Sequence, residues 1–173
     1  MASGDTLFSL LPHGSVPTPT IYATLDTVAD ISTPPVTFPC LDFDGSADEH
    51  ADWHVQIPSH YAGTTGFTFS YKYAVDGTDV DIVEMEFRVL NLSDLDVLSN
   101  DLGMDTRTPV TIQDTPAATP TNKLNVSTTG ALAKASFSSA VAGDYIVIRA
   151  TRDVSAATNT DDLQLLSILV TET

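Results

Sequence analysis

The fold is decided by the stretch GFTFSYKYAV, residues 66–75, in which aromatic side chains alternate with small or polar ones. Successive side chains of a β-strand point to opposite faces of its sheet, so this alternation predicts a strand with one apolar and one polar face. The stretch DVDIVEMEFRVLN, residues 79–91, continues the two-residue period. Both segments therefore predict sheets that pack on a core with one face and meet solvent with the other.

Other segments of the chain share this extended character and are separated by short turns rich in Gly, Pro, Asn and Asp. They are residues 36–44, 51–57, 108–114, 122–128, 144–153 and 163–172. Such strands, with almost no helix between them, predict an all-β protein: an antiparallel two-sheet sandwich, jelly-roll-like in its connections. An immunoglobulin-like topology is disfavoured because the Cys…Trp…Cys pattern is absent.

The first part of the chain differs from the rest, because it is rich in Pro, Thr and Ser and its apolar residues follow no regular period. We therefore predict an extended N-terminal arm at residues 1–33 and a sandwich domain at residues 34–173. An apolar arm of this kind is either frayed or docked on a neighbouring subunit or partner. Its candidate contact residues are Leu7, Phe8, Leu10, Leu11, Ile21 and Tyr22.

The charge of the chain is strongly negative: 23 acidic and 7 basic residues give a net charge of −16. A field of this sign repels nucleic acid and leaves basic protein surfaces, cations and neutral glycans as partners. The N-terminal stretch MASGDTLFSLLPHGS has no basic region before its apolar residues, and Pro12 interrupts the apolar run. We therefore expect neither a signal peptide nor a membrane span.

The sequence contains no motif that indicates catalysis. Cys40 is the only cysteine, which excludes an intramolecular disulfide and a cysteine-based zinc site. Its position in an apolar strand predicts an inert, buried thiol. A G-x-S-x-G motif and a Gly-rich phosphate loop are both absent. We predict a non-enzymatic protein and assign no catalytic residue.

The densest cluster of ionisable side chains is CLDFDGSADEHADW, residues 40–53. Asp42, Asp44, Ser46 and Asp48 have the every-second-residue spacing of calcium-binding oxygens, and the three aspartates are the candidate ligands. An EF-hand loop counted from Asp42 would, however, lack the Gly at its sixth position and the Glu at its twelfth. We interpret the stretch as a solvated acidic turn between the first two sandwich strands, and a looser calcium site is the alternative. No other cofactor is expected.

Three further features are candidates for binding or ion pairing. His50, Asp52 and His54 should share one face of a strand, which we interpret as its ordinary polar surface, and a zinc or iron site is the alternative. Tyr61, in the loop SHYAGTTG, is a candidate platform for stacking a sugar ring. Arg152 is expected to make local ion pairs that tie its strand end to the next loop.

Four motifs, taken in order, resemble those of small virion proteins of tailed bacteriophages. They are LDFD at 41–44, the Asp-Glu pair at 48–49, WHVQIPSHYAG at 53–63 and GDYIVIRATRD at 143–153, followed by a final apolar strand. The resemblance covers residues 35–173, and the arm is only loosely similar. It implies a jelly-roll protein of the capsid decoration or cement type. No catalytic motif and no individual site residue carries over from the group.

The resemblance also implies where the protein acts and with what. It would be made in the host cytoplasm and would stabilise the outer surface of the capsid by binding the lattice of the major capsid protein. Cement proteins commonly sit on symmetry axes, so a closed homo-oligomer, a trimer, is expected, with neither nucleic acid nor membrane as a partner. The alternatives are a module on the virion exterior that binds a host surface glycan, and a structural component of the tail or fibre.

Overall fold

The computed structural model describes residues 4–94, 96–98, 101–117 and 121–173. Within these ranges no helix is long and apolar enough to cross a membrane, and the helices are short 3₁₀ turns at Pro12–Gly14, Met104–Thr106 and Lys134–Phe137. The strands are β1 Thr6–Leu10, β2 Thr24–Ala29, β3 Thr37–Phe43, β4 Glu49–Gln56, β5 Gly66–Val75, β6 Val83–Leu92, β7 Val110–Asp114, β8 Asn125–Thr128, β9 Leu132–Ala133, β10 Tyr145–Arg152 and β11 Leu163–Glu172.

The strands form two antiparallel sheets that pack face to face. The seven-stranded sheet has the order β2-β3-β11-β5-β8, with β1 also paired to β11 and β9 to β5, and the four-stranded sheet has the order β4-β10-β6-β7. Without β1, β2 and β9, eight strands remain, four in each sheet, and the chain passes between the sheets as in a jelly roll. These eight correspond to the eight strands predicted from the sequence, which confirms the predicted fold class.

The core lies between the two sheets and is built from the alternating residues that the sequence indicated. Phe69, Tyr71 and Tyr73 point inward from β5 and are fully buried, as is Phe87 on β6. The Phe69 and Phe87 rings stack across the interface with centroids 4.8 Å apart. Because burial of one such side chain contributes about 1.5–3 kcal/mol, this aromatic layer is a major source of stability.

From residue 4 onward, the segment predicted as an extended arm contributes strands β1 and β2 to the seven-stranded sheet instead of extending away from the sandwich. Residues of β1 pair with β11, with Leu10 opposite Ile168. Leu7 and Leu10 are buried in the core, and Phe8 meets the Phe67 ring edge-on at 6.4 Å. The β1 segment is too short to show a two-residue period in its sequence. It still forms a strand, because β11 offers both an open edge and an apolar surface.

The chain after β1 crosses to the other sheet and covers an edge of it. The Val16 amide donates to the Asp52 carbonyl at 2.7 Å, and the His50 amide donates to the Ile21 carbonyl at 3.1 Å. The Trp53 indole Nε1 donates to the carbonyl of Leu11 at 2.9 Å. The chain then returns as β2, the outermost strand of the seven-stranded sheet. The N-terminal segment, up to the end of β2, therefore braces both sheets.

Candidate functional site

The outer surface of the four-stranded sheet, here called the polar face, carries charged side chains from β4, β6 and β10. His50, Asp52 and His54 lie on it together, as predicted, because they occupy alternate positions of β4 opposite β10. The His50 Nδ1 lies 3.2 Å from the Thr151 hydroxyl. Burial, with Arg149 nearby, lowers the pKa of His50, so its imidazole is neutral at pH 7.

An arginine at the centre of the polar face is paired with carboxylates on both sides. The Arg149 Nε and Nη2 atoms donate to the two oxygens of Asp52, each at 2.8 Å, and Nη1 donates to Asp105 at 2.9 Å. A bidentate pair of this kind fixes both side chains. Asp52 is thereby engaged with a cation of the protein, which explains its place between the two histidines without a metal.

A group of three carboxylates lies at the other end of the polar face. Possible ligand oxygens of Glu84, Glu86 and Asp153 lie within 4.8 Å of one another. Each also accepts from the protein: Glu86 from Arg88 at 2.6 Å, Glu84 from the Gln113 side chain at 2.6 Å, and Asp153 from the Ser155 amide and hydroxyl. The protein's own donors therefore hold this cluster.

The acidic turn does not assemble the calcium set considered from the sequence. Among the described residues, Asp42, Asp44 and Asp48 are not part of any group of three potential ligands within 4.8 Å. Asp44 accepts from the Ser46 amide and hydroxyl at 2.6 Å each, and Asp48 accepts from the Val154 amide at 2.9 Å. The carboxylates diverge because the first lies on β3 and the others bind different loop amides.

Tyr61 is not a platform for a sugar ring, and that prediction is wrong. The side chain is only 5% exposed and packs against the Phe67 ring, with centroids 5.5 Å apart. Burial raises the pKa of Tyr61 to about 12. Its loop folds over the end of the sandwich, where the Ala62 amide donates to Glu172 at 3.2 Å, so a residue expected at the surface belongs to the core.

The residues predicted to contact a subunit or partner divide into two groups. Leu7 and Leu10 are buried in the chain's own core and Phe8 is half-buried against it, so the first two have no surface to offer another chain. Three others remain exposed along the covered edge of the four-stranded sheet. They are Leu11, Ile21 and Tyr22.

Arg152 has a role that the sequence did not reveal. It is fully buried and makes no ion pair within the described part of the chain, contrary to expectation. Its guanidinium donates to three backbone carbonyls, those of Phe43 at 3.1 Å, Asp161 at 2.6 Å and Asn159 at 3.0 Å. It therefore ties the end of β3 to the loop before β11.

The outer surface of the seven-stranded sheet, here called the groove face, carries an apolar depression of about 540 Å³. Its lining includes the apolar residues Val28, Phe38, Ala74, Leu124 and Leu166, together with polar residues such as Asp30 and Asn122. Phe38 and Leu124 are 48% and 56% exposed. The sequence does indicate this surface. Leu41 and Phe43 point into the core, so the two-residue period of the strand places Phe38 on the outer face.

One end of the groove face is polar and buried. Asp42 on β3 lies directly opposite Gln164 on β11, and Gln164 lies opposite Ala74 on β5. Burial, together with the charges of Asp162 and Asp76, raises the pKa of Asp42 from 3.8 to about 6. Cys40 precedes Asp42 on the same side of β3.

The thiol of Cys40 is fully buried, as the sequence predicted. Burial is the main reason that its pKa is raised to about 11. A thiol with so high a pKa is almost entirely protonated near neutral pH and therefore makes a poor nucleophile or metal ligand.

No protein-family model matches the sequence, and no curated protein matches it. Among solved structures, the chain is similar to an isomalto-dextranase of Arthrobacter globiformis T6 complexed with panose, at 18% identity and a TM-score of 0.45, over 91% of this chain and 23% of that one. It is similar to the Agl-KA catalytic domain at 11% identity and a TM-score of 0.49, over 99% of this chain and 28% of that one.

A third similar structure is a cycloisomaltooligosaccharide glucanotransferase of Paenibacillus sp. complexed with cycloisomaltoheptaose. The identity is 10% and the TM-score 0.41, over 85% of this chain and 17% of that one. The chain thus spans less than a third of each of these proteins. At these TM-scores the likeness supports no argument about function.

Proposed function

We propose that this protein is a non-enzymatic structural protein of a tailed-phage virion, which decorates the outer surface of the capsid and stabilises it by binding the lattice of the major capsid protein. The resemblance of residues 35–173 to such proteins supports the assignment. The fold is consistent with it, because a sandwich whose N-terminal segment braces both sheets is a rigid block that can be held from outside on a shell.

The observation that carries the proposal is the apolar depression of the groove face. An exposed phenylalanine and an exposed leucine line it, on a protein that is otherwise strongly acidic. Contiguous apolar surface of this kind is typical of sites for protein partners. Among the described strands, β2 pairs only with β3, so the free backbone groups of its outer edge, beside the groove, can also meet another chain.

The proposal includes a closed homo-oligomer, a trimer on a symmetry axis of the shell. Leu11, Ile21 and Tyr22 are its candidate contacts, because they remain exposed at the covered edge. Light scattering of the purified protein should give three times the mass of one chain. The mass of a single chain at micromolar concentration would contradict the trimer and leave capsid binding to be judged by the next experiment.

Fractionation of virions tests the function directly. Particles of the phage that encodes the chain are purified, heads are separated from tails, and the chain is quantified by mass spectrometry in each fraction. We expect it with the heads, at a fixed ratio to the major capsid protein, and we expect heads without it to release DNA at a lower temperature. Its absence from virions, or its presence with the tails alone, would contradict capsid decoration.

A further inference from the structure

The groove face combines an apolar depression with an acceptor-rich end. Asp42, Gln164 and Ala74 form a row across β3, β11 and β5, and Ala74 also lines the depression. Phe38 lies four residues before Asp42 on β3 and points to the same side of the sheet. A partner segment in the depression is therefore close to this row.

The row contains two hydrogen-bond acceptors that have no donor among the residues the structure describes. They are Oδ1 of Asp42 and Oε1 of Gln164, both buried. Only 9% of Gln164 is exposed. A buried acceptor without a donor is destabilising, so this end of the face is short of hydrogen-bond donors. Asp42 as a residue remains partly exposed, and its other oxygen, Oδ2, is not among the buried atoms, so a donor from outside can reach Oδ2.

The charges around the row decide which donor fits. Asp76 and Asp162 are close enough to raise the pKa of Asp42, and Asp26 lies on the adjacent edge strand. Lys72 is exposed on β5, and Lys123 lies in the loop between Asn122 and Leu124, which line the depression. A second copy seated face to face on the groove would place another such acidic end beside this one, so like-charge repulsion opposes that arrangement.

We infer that the groove binds an extended apolar segment of a protein partner that carries a Lys or Arg next to its apolar side chains. The apolar side chains fill the depression around Phe38 and Leu124, and the basic side chain pairs with the accessible oxygen of Asp42. The inference rests on the proposed function, since it assigns this segment to the major capsid protein. It adds the chemistry of the contact, which the proposed function leaves open.

Binding of the full chain to capsids tests the inference. Capsids are purified from phage that lacks the gene for this protein, and binding is measured by co-sedimentation. Phe38→Ser and Asp42→Lys change the groove and its acidic end. Val141→Ser and Asp94→Lys are the matched controls, because they remove an exposed apolar side chain and an exposed acid elsewhere. Thermal unfolding of every variant shows whether it is folded.

We expect Phe38→Ser and Asp42→Lys to weaken the affinity about tenfold or more, whereas the controls stay within about twofold. If all four variants bind as the wild type does, the groove is not the docking site, although the proposed function stands. If the wild type itself fails to bind, the proposed function fails and this assignment fails with it. If Phe38→Ser instead converts an oligomer to monomers, a second copy covers the groove and the inference is overturned.

Discussion

The two outer faces of the sandwich differ in how their charged side chains are paired. On the polar face, Arg149 and Arg88 sit among carboxylates and pair with Asp52 and Glu86 at 2.8 Å and 2.6 Å. On the groove face, the Asp42 carboxylate has like charges as neighbours and an oxygen without a donor. A face whose charges are satisfied from within has little to gain from a partner. A face with an unpaired carboxylate beside exposed apolar surface can still gain free energy by binding a partner.

The largest effect is expected at Arg152, which lies three residues after Arg149 on β10 but points inward. Arg152→Met removes the donors of three backbone carbonyls and leaves those carbonyls buried. We expect the free energy of unfolding to fall by about 3–5 kcal/mol, measured by urea denaturation. A loss below about 1 kcal/mol would mean that the guanidinium does not hold the loop before β11.

A smaller loss is expected at Arg149, at the centre of the polar face. Arg149→Met breaks the bidentate pair with Asp52, whose side chain is only 12% exposed. The free energy of unfolding should fall by about 2 kcal/mol, because the carboxylate stays largely desolvated without its cation. Asp105→Asn is the control: that carboxylate is 87% exposed, and its loss should cost less than about 0.5 kcal/mol. Equal losses would show that burial of the pair contributes nothing.

The strands could be predicted because their signal is local, whereas the contacts of the groove and of the buried arginine could not. Alternation along β5 and β6 reports directly which side chains face the core. Tyr61 and Arg152 have no such signal, since their burial depends on loops that fold over the ends of the sandwich. Leu7 and Leu10 form a strand only because β11, the last strand of the chain, offers its edge.

At Asp42, on the groove face, we expect a substitution to raise the free energy of unfolding, whereas the two arginine substitutions lower it. Its folded-state pKa of about 6 lies above the ordinary 3.8, so the folded protein binds the proton more tightly. The resulting stability is fully present below about pH 4 and is lost as the pH rises through about 6. Asp42→Asn is neutral at every pH. We expect it to raise the free energy of unfolding by about 1 kcal/mol at pH 7.5, after allowance for solvent screening.

The pH dependence separates this effect from a general relief of negative charge. The gain from Asp42→Asn should shrink towards zero between pH 6 and about pH 4, where the wild-type carboxyl becomes protonated. Asp94→Asn removes the same charge at an exposed position and serves as the control. If both variants gain equally at pH 7.5, the gain reflects the net charge of −16 and not the environment of Asp42.

The smallest effect on stability is expected at Phe38, and it decides whether the groove is a surface or part of the core. Phe38 is 48% exposed, whereas Phe69 on β5 is fully buried. Phe38→Ser should lower the free energy of unfolding by about 1 kcal/mol or less, and Phe69→Ala should lower it by about 3–5 kcal/mol. If Phe38→Ser cost as much as Phe69→Ala, the ring would serve the fold and its exposure would say nothing about a partner. If Phe38→Ser lowers the free energy of unfolding only slightly, the fold does not require a large apolar side chain at this position. Binding of a partner is then the explanation for the exposed ring.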